Sequence, residues 1–473
     1  QDLVVEVERQ LKKRQRGQAV RLEFEVGTSR FMRRFMTQEM NLEKEDMYQI
    51  DGPLDMTVFF GFCGIKGYNH LRYPEAHPHS PWSMLELKRT PETNIFDMIR
   101  EKDLLIHLPY ESFDESVVNF LYSAANDKDV LAIKQTLYRV SSSSPVVQAL
   151  EKAVQNGKQV TVLMEVKARF DEANNILMAR RLEKAGAHVI YGLVGLKTHS
   201  KCTLVIRREK DGIRRYVHVA TGNYNASTAK LYTDLGILTC SDRFGIDASA
   251  FFNLLSGYSD PPIWDSFIVA PINLRQRCIE LIDREIHFAK NGEDAHMIAK
   301  MNSLLDKGII EKLYEASQAG VKIELIVRGI CVLIPGIPGA SDNITVRSIV
   351  GRFLEHSRIF WFRNGGREEL YISSADWMPR NLNDRVELMV PIEDPEIKRR
   401  LKQMVDIELS DNQKAHIMQA DGTWLKTISA ENQLCAQEYF QKIAEKRDAE
   451  DEMTLAQKLE PYTPVLGHGD GSD

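Results

Sequence analysis

The sequence predicts an α/β protein that contains a duplicated domain, and two long-range matches indicate the duplication. A helix, a glycine and an apolar strand occur around Gly157 and again around Gly320. A histidine followed two residues later by a basic residue, and then by a hairpin turn, occurs at His199 and again at His356. The glycines are 163 residues apart and the histidines 157, so the parts recur in the same order. Such recurrence is typical of a duplicated domain, although a purely architectural repeat is the alternative.

Composition limits the possible classes of function. The 473 residues are 43% hydrophobic, which is enough to bury large cores in about two or three domains. The formal net charge is -6, so a polyanion would have to meet a local cationic groove rather than a global basic field. The six cysteines form no CxxC pair, no apolar run is long enough to cross a bilayer, and no signal peptide opens the chain. We therefore expect a reduced cytoplasmic protein without a zinc site, and a peripheral contact with a membrane stays open.

The N-terminal stretch is the least informative part of the sequence. Residues 4–26 predict a charged helix followed by an alternating strand, and residues 30–40 predict an amphipathic helix. His70, His77 and His79 lie in a Pro-rich linker without a framework of carboxylates or cysteines. An ordinary loop is therefore favoured over a metal site.

From about Ser83 onward, predicted helices alternate with buried strands. The elements are a helix over Asp114–Ala125 with Asp114 as its candidate N-cap, a strand over Val130–Leu137, a helix over Val146–Gln155 and a strand over Gln159–Val166. This alternation favours a mostly parallel sheet. Ligands of open α/β sheets collect at the carboxyl ends of the strands.

Three arginines follow the ends of predicted strands, namely Arg139, Arg169 and Arg328. A guanidinium in that place can clamp a phosphate with two parallel hydrogen bonds. For any one of the three, pairing with a nearby acid such as Asp171 is an equally good explanation. Three arginines at strand ends favour an anion site.

The first histidine motif has the residue types that a group transfer to phosphorus needs. His199 and Lys201 are two residues apart, so in an extended segment both side chains point to the same face. Imidazole can attack phosphorus while the ammonium holds a charged oxygen. The Asp211-Gly212 turn predicts a hairpin whose second strand, Arg215–Ala220, returns beside His199 and brings Asn225 to it.

The second motif predicts the same hairpin with one chemical difference. A turn at Asn364-Gly365 is expected to bring Asp376 back to His356, where the first hairpin has only a neutral amide. A carboxylate beside the imidazole would raise the pKa of His356 above its usual value of about 6.5. We therefore expect a neutral, attacking His199 and a protonated His356.

Seven motifs resemble those of the bacterial-type polyphosphate kinases, whose catalytic half is a pair of phospholipase D-like domains. The resemblance runs from near Leu11 to about Leu409, and its motifs are LAIKQTLYRV, KARFDEANN, GLKTHSK, TGNYNASTAKLYTDLG, LIVRGIC, LEHSRIF and ISSADWMPRNLNDRVEL. It implies an α/β fold of two duplicated phospholipase D-like domains preceded by part of a helical domain. The implied domains are a partial helical domain at 1–85, catalytic domains at 86–266 and 267–451, and a flexible tail at 452–473. The family's N-terminal domain is expected to be missing from this sequence.

The resemblance also implies a reaction and the residues that perform it. The terminal phosphate of ATP would pass reversibly to inorganic polyphosphate through a phosphohistidine at His199, with His356 and Lys201 as further catalytic residues. The nucleotide and its phosphates would meet Tyr232, Arg328, His356, Arg385 and Glu387, although the alternation of Arg385 and Glu387 is also typical of an exposed edge strand. A Mg²⁺ site is implied at Arg139 and Arg169, which must act through phosphate oxygens because a guanidinium has no lone pair for a metal.

The sequence departs from the phospholipase D pattern in a way that bears on function. The diesterase motif has an aspartate five residues after its lysine, whereas this chain has Ile206 there and Arg363 in the second copy. A kinase is therefore favoured over a phospholipase D-like phosphodiesterase or nuclease, and a polyanion-binding scaffold is a third possibility. The expected partners are ATP, ADP, polyphosphate and further copies of the chain in a homo-oligomer, without nucleic acid.

Overall fold

The computed structural model describes residues 2–14, 17–85, 93–168, 171–193, 195–257 and 263–459. The chain divides into two compact units, Gln1–Ala76 and His77–Asp473. The first unit contains helices α1 (Asp2–Arg14) and α2 (Arg30–Glu39) and the parallel strands β1 (Leu22–Glu25) and β2 (Met47–Ile50). The expected charged helix, strand and amphipathic helix are confirmed.

The second unit is an α/β structure, as the alternation of elements predicts. Its helices are α3 (Ile95–Glu101), α4 (Asn119–Asn126), α5 (Pro145–Gln155), α6 (Glu172–Ala185), α7 (Asp242–Leu255), α8 (Leu274–Lys290), α9 (Lys307–Gln318), α10 (Pro379–Asn383), α11 (Pro395–Leu409) and α12 (Ala436–Leu459). Its strands are β3 (Leu104–Leu108), β4 (Val130–Leu137), β5 (Gln159–Met164), β6 (His188–Tyr191), β7 (Lys197–Thr198), β8 (Cys202–Glu209), β9 (Gly212–Ala220), β10 (Tyr232–Thr239), β11 (Ile268–Ala270), β12 (His296–Met301), β13 (Lys322–Val327), β14 (Ile344–Ile349), β15 (Leu354–Glu355), β16 (Arg358–Phe362), β17 (Glu369–Ser373), β18 (Arg385–Pro391), β19 (Ala415–Met418) and β20 (Trp424–Lys426).

These strands form two mixed sheets. The first has the order β15-β10-β9-β8-β4-β5-β6 with β3 paired to β10, and the second has the order β11-β18-β17-β16-β12-β13-β14-β19-β20 with β7 paired to β18. Only part of each sheet is parallel, because hairpins such as β8–β9 and β16–β17 add antiparallel strands beside the parallel core β4–β5–β6 or β12–β13–β14. The expectation of a mostly parallel sheet is therefore wrong.

The duplication is confirmed by equivalent elements. Helix α5 ends two residues before Gly157 and β5 begins two residues after it, and α9, Gly320 and β13 have the same spacing. Both glycines have a left-handed backbone conformation, with φ +79° and +97°. Glycine adopts this conformation without a side-chain clash and so ends each helix before the next strand begins.

Two very short strands cross between the duplicated halves of the second unit. The first half contains β3–β10 and His199, and the second half contains β11–β20 and His356. β7 of the first half pairs in parallel with β18 of the second, and β15 of the second half pairs in parallel with β10 of the first. Each two-residue strand leads directly into a histidine, so the backbone NH of His199 donates to the carbonyl of Val386 at 2.9 Å. The opposite half therefore fixes where each histidine lies.

Several local expectations change in detail. The first hairpin turn is centred on Lys210-Asp211, since Glu209 pairs with Gly212, whereas the Asn364-Gly365 turn is confirmed with φ values of +48° and +57°. Asp114 does not cap a helix, because a π-helical turn precedes α4.

The C-terminal part also differs from expectation. After Leu409 the chain forms the β19–β20 hairpin before its last helix, and most of the tail predicted at 452–473 lies outside the described residues. The first compact unit ends at Ala76. The proposed domain boundaries stay predictions.

A buried charged cluster ties the two sheets and the last helix together. The ammonium of Lys300 pairs with Glu355 at 2.6 Å and with Glu408. Glu355 also accepts hydrogen bonds from Thr233 of the first half at 2.8 Å and from Gln437 of α12 at 2.7 Å. Since Glu355 immediately precedes the second histidine, this cluster fixes the backbone from which that histidine projects.

Replacing Lys300 tests the cluster. Lys300→Met should lower the free energy of unfolding at pH 7 by about 3–5 kcal/mol, because it leaves two buried carboxylates without a cation. The loss should be smaller at pH 5 than at pH 8, because burial raises the pKa of Glu408 to about 7, so that at pH 5 Glu408 is buried as the neutral acid. Urea unfolding measures both values. The exposed Lys307→Met is the matched control, and an equal effect of the two substitutions would contradict the cluster's role.

Candidate active site

The first histidine is held by a carboxylate from the other half of the molecule. Nδ1 of His199 lies 2.9 Å from both carboxylate oxygens of Glu387, because β7 pairs with β18 immediately before these two residues. Ser374 and Asn381 donate to the same carboxylate at 2.5 and 2.9 Å. A carboxylate at Nδ1 places the proton on that nitrogen, so the lone pair of Nε2 is available for chemistry.

The second histidine has the same arrangement with the halves exchanged. Nδ1 of His356 lies 2.8 and 2.9 Å from the oxygens of Asp234, which β10 carries beside β15. The Thr221 hydroxyl donates to Asp234 at 2.6 Å, and the Thr233 hydroxyl accepts from the backbone NH of His356 at 3.1 Å. Both imidazoles are therefore fixed in the same tautomer.

The two carboxylates show that the expected hairpin partners of the histidines are wrong. Asn225 accepts from the backbone NH groups at 227 and 228 and donates to the carbonyl of Arg139, while Asp376 pairs with Arg358. The carboxylates that do reach the histidines come from the opposite half, which the spacing within one hairpin cannot reveal.

The basic residue after each histidine lies against its ring, as the two-residue spacing predicts. Nζ of Lys201 is 3.0 and 3.1 Å from the two ring nitrogens of His199, so the ammonium lies against the ring face rather than on one lone pair. A guanidinium nitrogen of Arg358 lies 3.1 Å from Nε2 of His356. Lys201 and Arg358 are buried, with 1% and 3% exposure.

Burial makes both histidines neutral. Burial, followed by Lys201 and Arg385, lowers the pKa of His199 well below 6.5. Burial and Arg358 also lower the pKa of His356, although Asp234 acts in the opposite direction. The expected rise in the pKa of His356 is therefore wrong: its carboxylate is Asp234 rather than Asp376, and desolvation outweighs it.

The charged neighbours of the histidines are shifted as well. Burial lowers the pKa of Lys201 to about 7, against the opposing effect of Glu387. Burial likewise raises the pKa of Glu387, partly offset by Lys201 and Arg385. Burial alone would raise the pKa of Asp234, but His356, Thr221 and Arg358 together hold it below its usual value. The site thus contains ionisable groups whose charge can change when a phosphate enters.

Two of the predicted phosphate residues lie beside His356. The ring of Tyr232 has its centroid 5.2 Å from that of His356. Arg328 donates to the side-chain oxygen of Asn302 at 3.0 and 3.2 Å, and Asn302 donates to the backbone carbonyl of His356 at 3.3 Å. Arg328 is thereby tied to the second histidine through one residue.

The other predicted residues lie on the His199 side. A guanidinium nitrogen of Arg385 is 3.8 Å from a carboxylate oxygen of Glu387. Arg385 pairs with the first residue of β7 as Tyr232 pairs with the first residue of β15, so the two residues occupy equivalent positions. The Arg139 guanidinium lies 5.5 Å from the ring centroid of Tyr138, and that ring is 4.8 Å from the ring of His199. Arg139 also pairs with Asp171 at 2.9 Å, so the acid-pair explanation of this arginine holds in the structure. Arg169 lies outside the described residues.

Asp234, Thr221 and Ser374 were missed by the sequence reasoning, although a signal for them exists. Asp234 lies thirteen residues after Thr221, and Glu387 lies thirteen residues after Ser374. The backbone bonds agree, since the NH of Thr221 donates to Leu235 and that of Ser374 donates to Leu388. A search of the duplicated hairpins for equally spaced hydroxyl and acid residues would have found both pairs.

No protein metal cage or membrane-spanning helix is found where the structure can be described. Across 2–14, 17–85, 93–168, 171–193, 195–257 and 263–459, no group of three or more His, Cys, Asp or Glu side chains could hold a metal ion. Over the same ranges, no helix has the length and apolar character needed to cross a bilayer.

Comparison with protein families matches three models in chain order. They are the polyphosphate kinase middle domain at residues 1–62, C-terminal domain 1 at 94–261 and C-terminal domain 2 at 267–437. The chain is 54% identical over 417 residues to a polyphosphate kinase of Halalkalibacterium halodurans, and the aligned region covers 88% of this chain and 58% of that protein. It is 48% identical over 443 residues to a polyphosphate kinase of Thermosynechococcus vestitus, covering 89% of this chain and 60% of that protein. The chain thus spans about three fifths of the length of these relatives.

A solved structure agrees with the sequence matches. The crystal structure of polyphosphate kinase from Porphyromonas gingivalis superposes with a TM-score of 0.81 at 34% identity, over 91% of this chain and 65% of that one. The predicted α/β fold is therefore confirmed.

Gly222 gives a test of how the second histidine is held. A Cβ at Gly222 would lie 2.2 Å from a carboxylate oxygen of Asp234, so Gly222→Ala should displace Asp234 from Nδ1 of His356. Histidine ring ¹⁵N NMR should then show a mixture of tautomers for His356 in place of a single Nδ1-protonated form. Ala375→Gly, at the equivalent position of the second half, is the control and should leave the His356 signals unchanged. An unaltered His356 spectrum in Gly222→Ala would contradict the arrangement.

Proposed function

The chain belongs to the polyphosphate kinase family, and we propose that it transfers the terminal phosphate of ATP reversibly to inorganic polyphosphate through a phosphohistidine at His199. The observation that carries the proposal is the paired site. Two neutral imidazoles, each with Nδ1 on a carboxylate and a cation against the ring, lie where the two halves exchange strands. This geometry combines a nucleophile with charge neutralisation, which phosphoryl transfer requires.

In the first step Nε2 of His199 attacks the γ-phosphorus of ATP. The bond from phosphorus to the bridging oxygen breaks, its electron pair leaves with ADP, and a phosphorus–nitrogen bond forms. The Nδ1 proton is shared with Glu387, whose raised pKa suits it to take up the positive charge that develops on the ring. Lys201 neutralises the charge on the transferred group.

In the second step a terminal oxygen of polyphosphate attacks the phosphorus held on His199. The phosphorus–nitrogen bond breaks, its electron pair returns to Nε2, and the chain grows by one phosphate. Run backwards, this step moves the terminal phosphate of polyphosphate to His199, and the reverse of the first step, in which an oxygen of ADP attacks that phosphorus and the phosphorus–nitrogen bond breaks, regenerates ATP. His356 is neutral, and its Nε2 faces a guanidinium nitrogen of Arg358 at 3.1 Å. A phosphate that draws this guanidinium to itself would leave Nε2 able to accept a proton from a phosphate oxygen in one direction and return it in the other.

The residues around the two histidines supply the phosphate contacts. Tyr232, Arg328 and Arg385 are proposed to meet the nucleotide and its phosphates. Arg139 would exchange its ion pair with Asp171 for a phosphate, as part of a cationic channel that also includes Arg169 and Lys167.

Magnesium is expected to arrive on the phosphates rather than on a protein cage. The described residues contain no cluster of three ligating side chains, and the guanidinium of Arg139 cannot coordinate a metal. Mg²⁺ is commonly held by substrate phosphates, where it neutralises their charge. The chain's own part is therefore to grip the phosphates that carry the ion.

The phosphodiesterase alternative loses one of the arguments against it. The absence of an acid five residues after each basic residue does not remove the acid from the site, since Glu387 and Asp234 restore a carboxylate to each histidine. What favours the kinase is the sequence of the relatives over nine tenths of the chain. We propose ATP, ADP and polyphosphate as partners, without nucleic acid, in the cytoplasm, and as a homo-oligomer.

Phosphate labelling tests the proposed function. Incubation of the chain with ATP labelled at the γ-phosphate and Mg²⁺ should give an acid-labile, alkali-stable phosphate on His199 and release ADP. His199→Ala should abolish the label, and His356→Ala should slow its formation by about 10²–10⁴-fold without moving it. The exposed His188→Ala is the control and should label as the parent chain does. Label on His356 in the parent chain, or none with ATP, would overturn the proposal.

The pH dependence tests the role of Lys201. The rate constant for labelling at low ATP concentration should fall as pH rises through about 7, because the free site needs the charged ammonium and burial lowers the pKa of Lys201 to about 7. It should fall again only well below pH 6.5, where His199 takes up a proton. Lys201→Arg keeps its charge, so its alkaline fall should disappear from this range.

The exposed Lys152→Arg serves as the control and should keep the parent profile. An alkaline fall that stays near pH 7 in Lys201→Arg would show that another group titrates there.

A further inference from the structure

The register of the two hairpins places Asn223 and Asp376 in equivalent positions. Arg358 pairs with Ser373 across β16–β17, and Asp376 follows three residues later. In the first half the NH of Ala220 donates to the carbonyl of Lys201, next to the Cys202–Val219 pair of β8–β9. Ala220 is therefore the cross-strand partner of Lys201, and Asn223 follows three residues later. Asn223 also lies eleven residues before Asp234, and Asp376 lies eleven residues before Glu387.

The contacts of these two residues differ. Asp376 accepts from two guanidinium nitrogens of Arg358 at 3.1 and 3.2 Å and from the backbone NH of Asn302 at 2.8 Å. The side-chain oxygen of Asn223 is buried and has no hydrogen-bond partner in the described part of the chain. Lys201 is 1% exposed and forms no ion pair with a carboxylate of the described residues.

We propose that this difference helps to make the two histidines unequal. Asp376 neutralises Arg358, whereas the amide of Asn223 leaves the charge of Lys201 available to a phosphoryl group, so that phosphorylation is directed to His199. The proposal rests on the phosphohistidine chemistry proposed above and adds the residues that choose between the histidines. Asn223 and Asp376 act through the two cations and are positioning residues.

The direct contacts of each histidine are otherwise closely matched, and the further charge difference is Arg385, which lies near Glu387 where the first half has Tyr232. Each imidazole has its Nδ1 on a carboxylate, each carboxylate accepts from a hydroxyl, and each ring is touched by a cation two residues on. A phosphoryl group carries a charge of roughly -1.5 to -2, so the net charge of the cation beside it decides where it is best accommodated. Among the matched contacts the formal charge differs at residues 223 and 376, and Arg385 in place of Tyr232 adds positive charge on the His199 side in the same direction.

Exchanging the two side chains provides the test. The parent chain, Asn223→Asp, Asp376→Asn and the double variant would each be incubated with phosphoramidate, a small donor that needs no nucleotide site, and in parallel with ATP and Mg²⁺. With phosphoramidate the phosphorus–nitrogen bond of the donor breaks, ammonia leaves, and a bond from phosphorus to Nε2 forms. Mass spectrometry of peptides kept at alkaline pH gives the share of phosphate on each histidine.

The expected result is a redistribution of the label. Asn223→Asp should lower labelling of His199 by about 100-fold, the size of effect seen when one stabilising group is removed from a developing charge. Asp376→Asn should add label on His356, and the double variant should carry most of its label there. A loss of fold alone would lower both labels and could not move phosphate from one histidine to the other.

Two controls separate charge from structure. Asn126→Asp adds the same charge to an exposed site at the end of α4, away from the histidines, and should label as the parent chain does. Asn223→Ala removes the amide without adding charge. Its labelling of His199 should be at least about tenfold higher than that of Asn223→Asp.

Two outcomes would overturn the inference. They are parent-like labelling of His199 in Asn223→Asp and an unchanged share of label in the double variant. If phosphoramidate labels His199 selectively while ATP labels nothing, the ATP-dependent function fails and the inference about residues 223 and 376 stands.

Discussion

The exchange of β7 and β15 between the halves is the constraint on which the site depends. Each of these strands is only two residues long, yet each places a histidine opposite a carboxylate of the other half. Neither half contains a complete set of imidazole, cation and carboxylate. The reactive tautomer of His199 therefore exists only when both halves are folded together, and the Lys300 cluster behind β15 helps to hold them in register.

Burial decides how the charges of the site are distributed. Placing two imidazoles, two carboxylates and two cations in a dry interface is costly unless every group is paired or neutral. The structure meets this condition by keeping both histidines neutral and by lowering the pKa of Lys201 to about 7. An incoming phosphate would stabilise the charged ammonium, so the substrate itself completes the electrostatics of the site.

Local sequence patterns predicted the parts of the site, but not their pairing. The His-x-basic spacing, the helix–glycine–strand units and the second hairpin turn are all short-range signals, and the structure contains them as expected. The pairing of each histidine with its carboxylate was missed because Glu387 is 188 residues from His199 and Asp234 is 122 residues from His356. A two-residue strand has no periodicity that could reveal its partner. Counting from the histidines also failed, because 24 residues separate His199 from Asn223 but only 20 separate His356 from Asp376.

The two halves show how a duplicated site keeps its geometry while its chemistry diverges. Gly222 and Ala375 occupy equivalent positions in the two halves. The half with Gly222 uses the shorter Asp234 as its carboxylate, and the half with Ala375 uses the longer Glu387. A Cβ at Gly222 would lie 2.2 Å from a carboxylate oxygen of Asp234, so the absence of a side chain at this position lets the aspartate reach its histidine. Asn223 and Asp376, the next residues along, are not under this steric constraint: Asp376 pairs with Arg358, and the side-chain oxygen of Asn223 has no hydrogen-bond partner among the described residues. The positions that fix geometry are therefore coupled, whereas the positions that set charge can differ between halves. On the proposed roles of residues 223 and 376, that freedom would let a symmetric framework carry an asymmetric reaction.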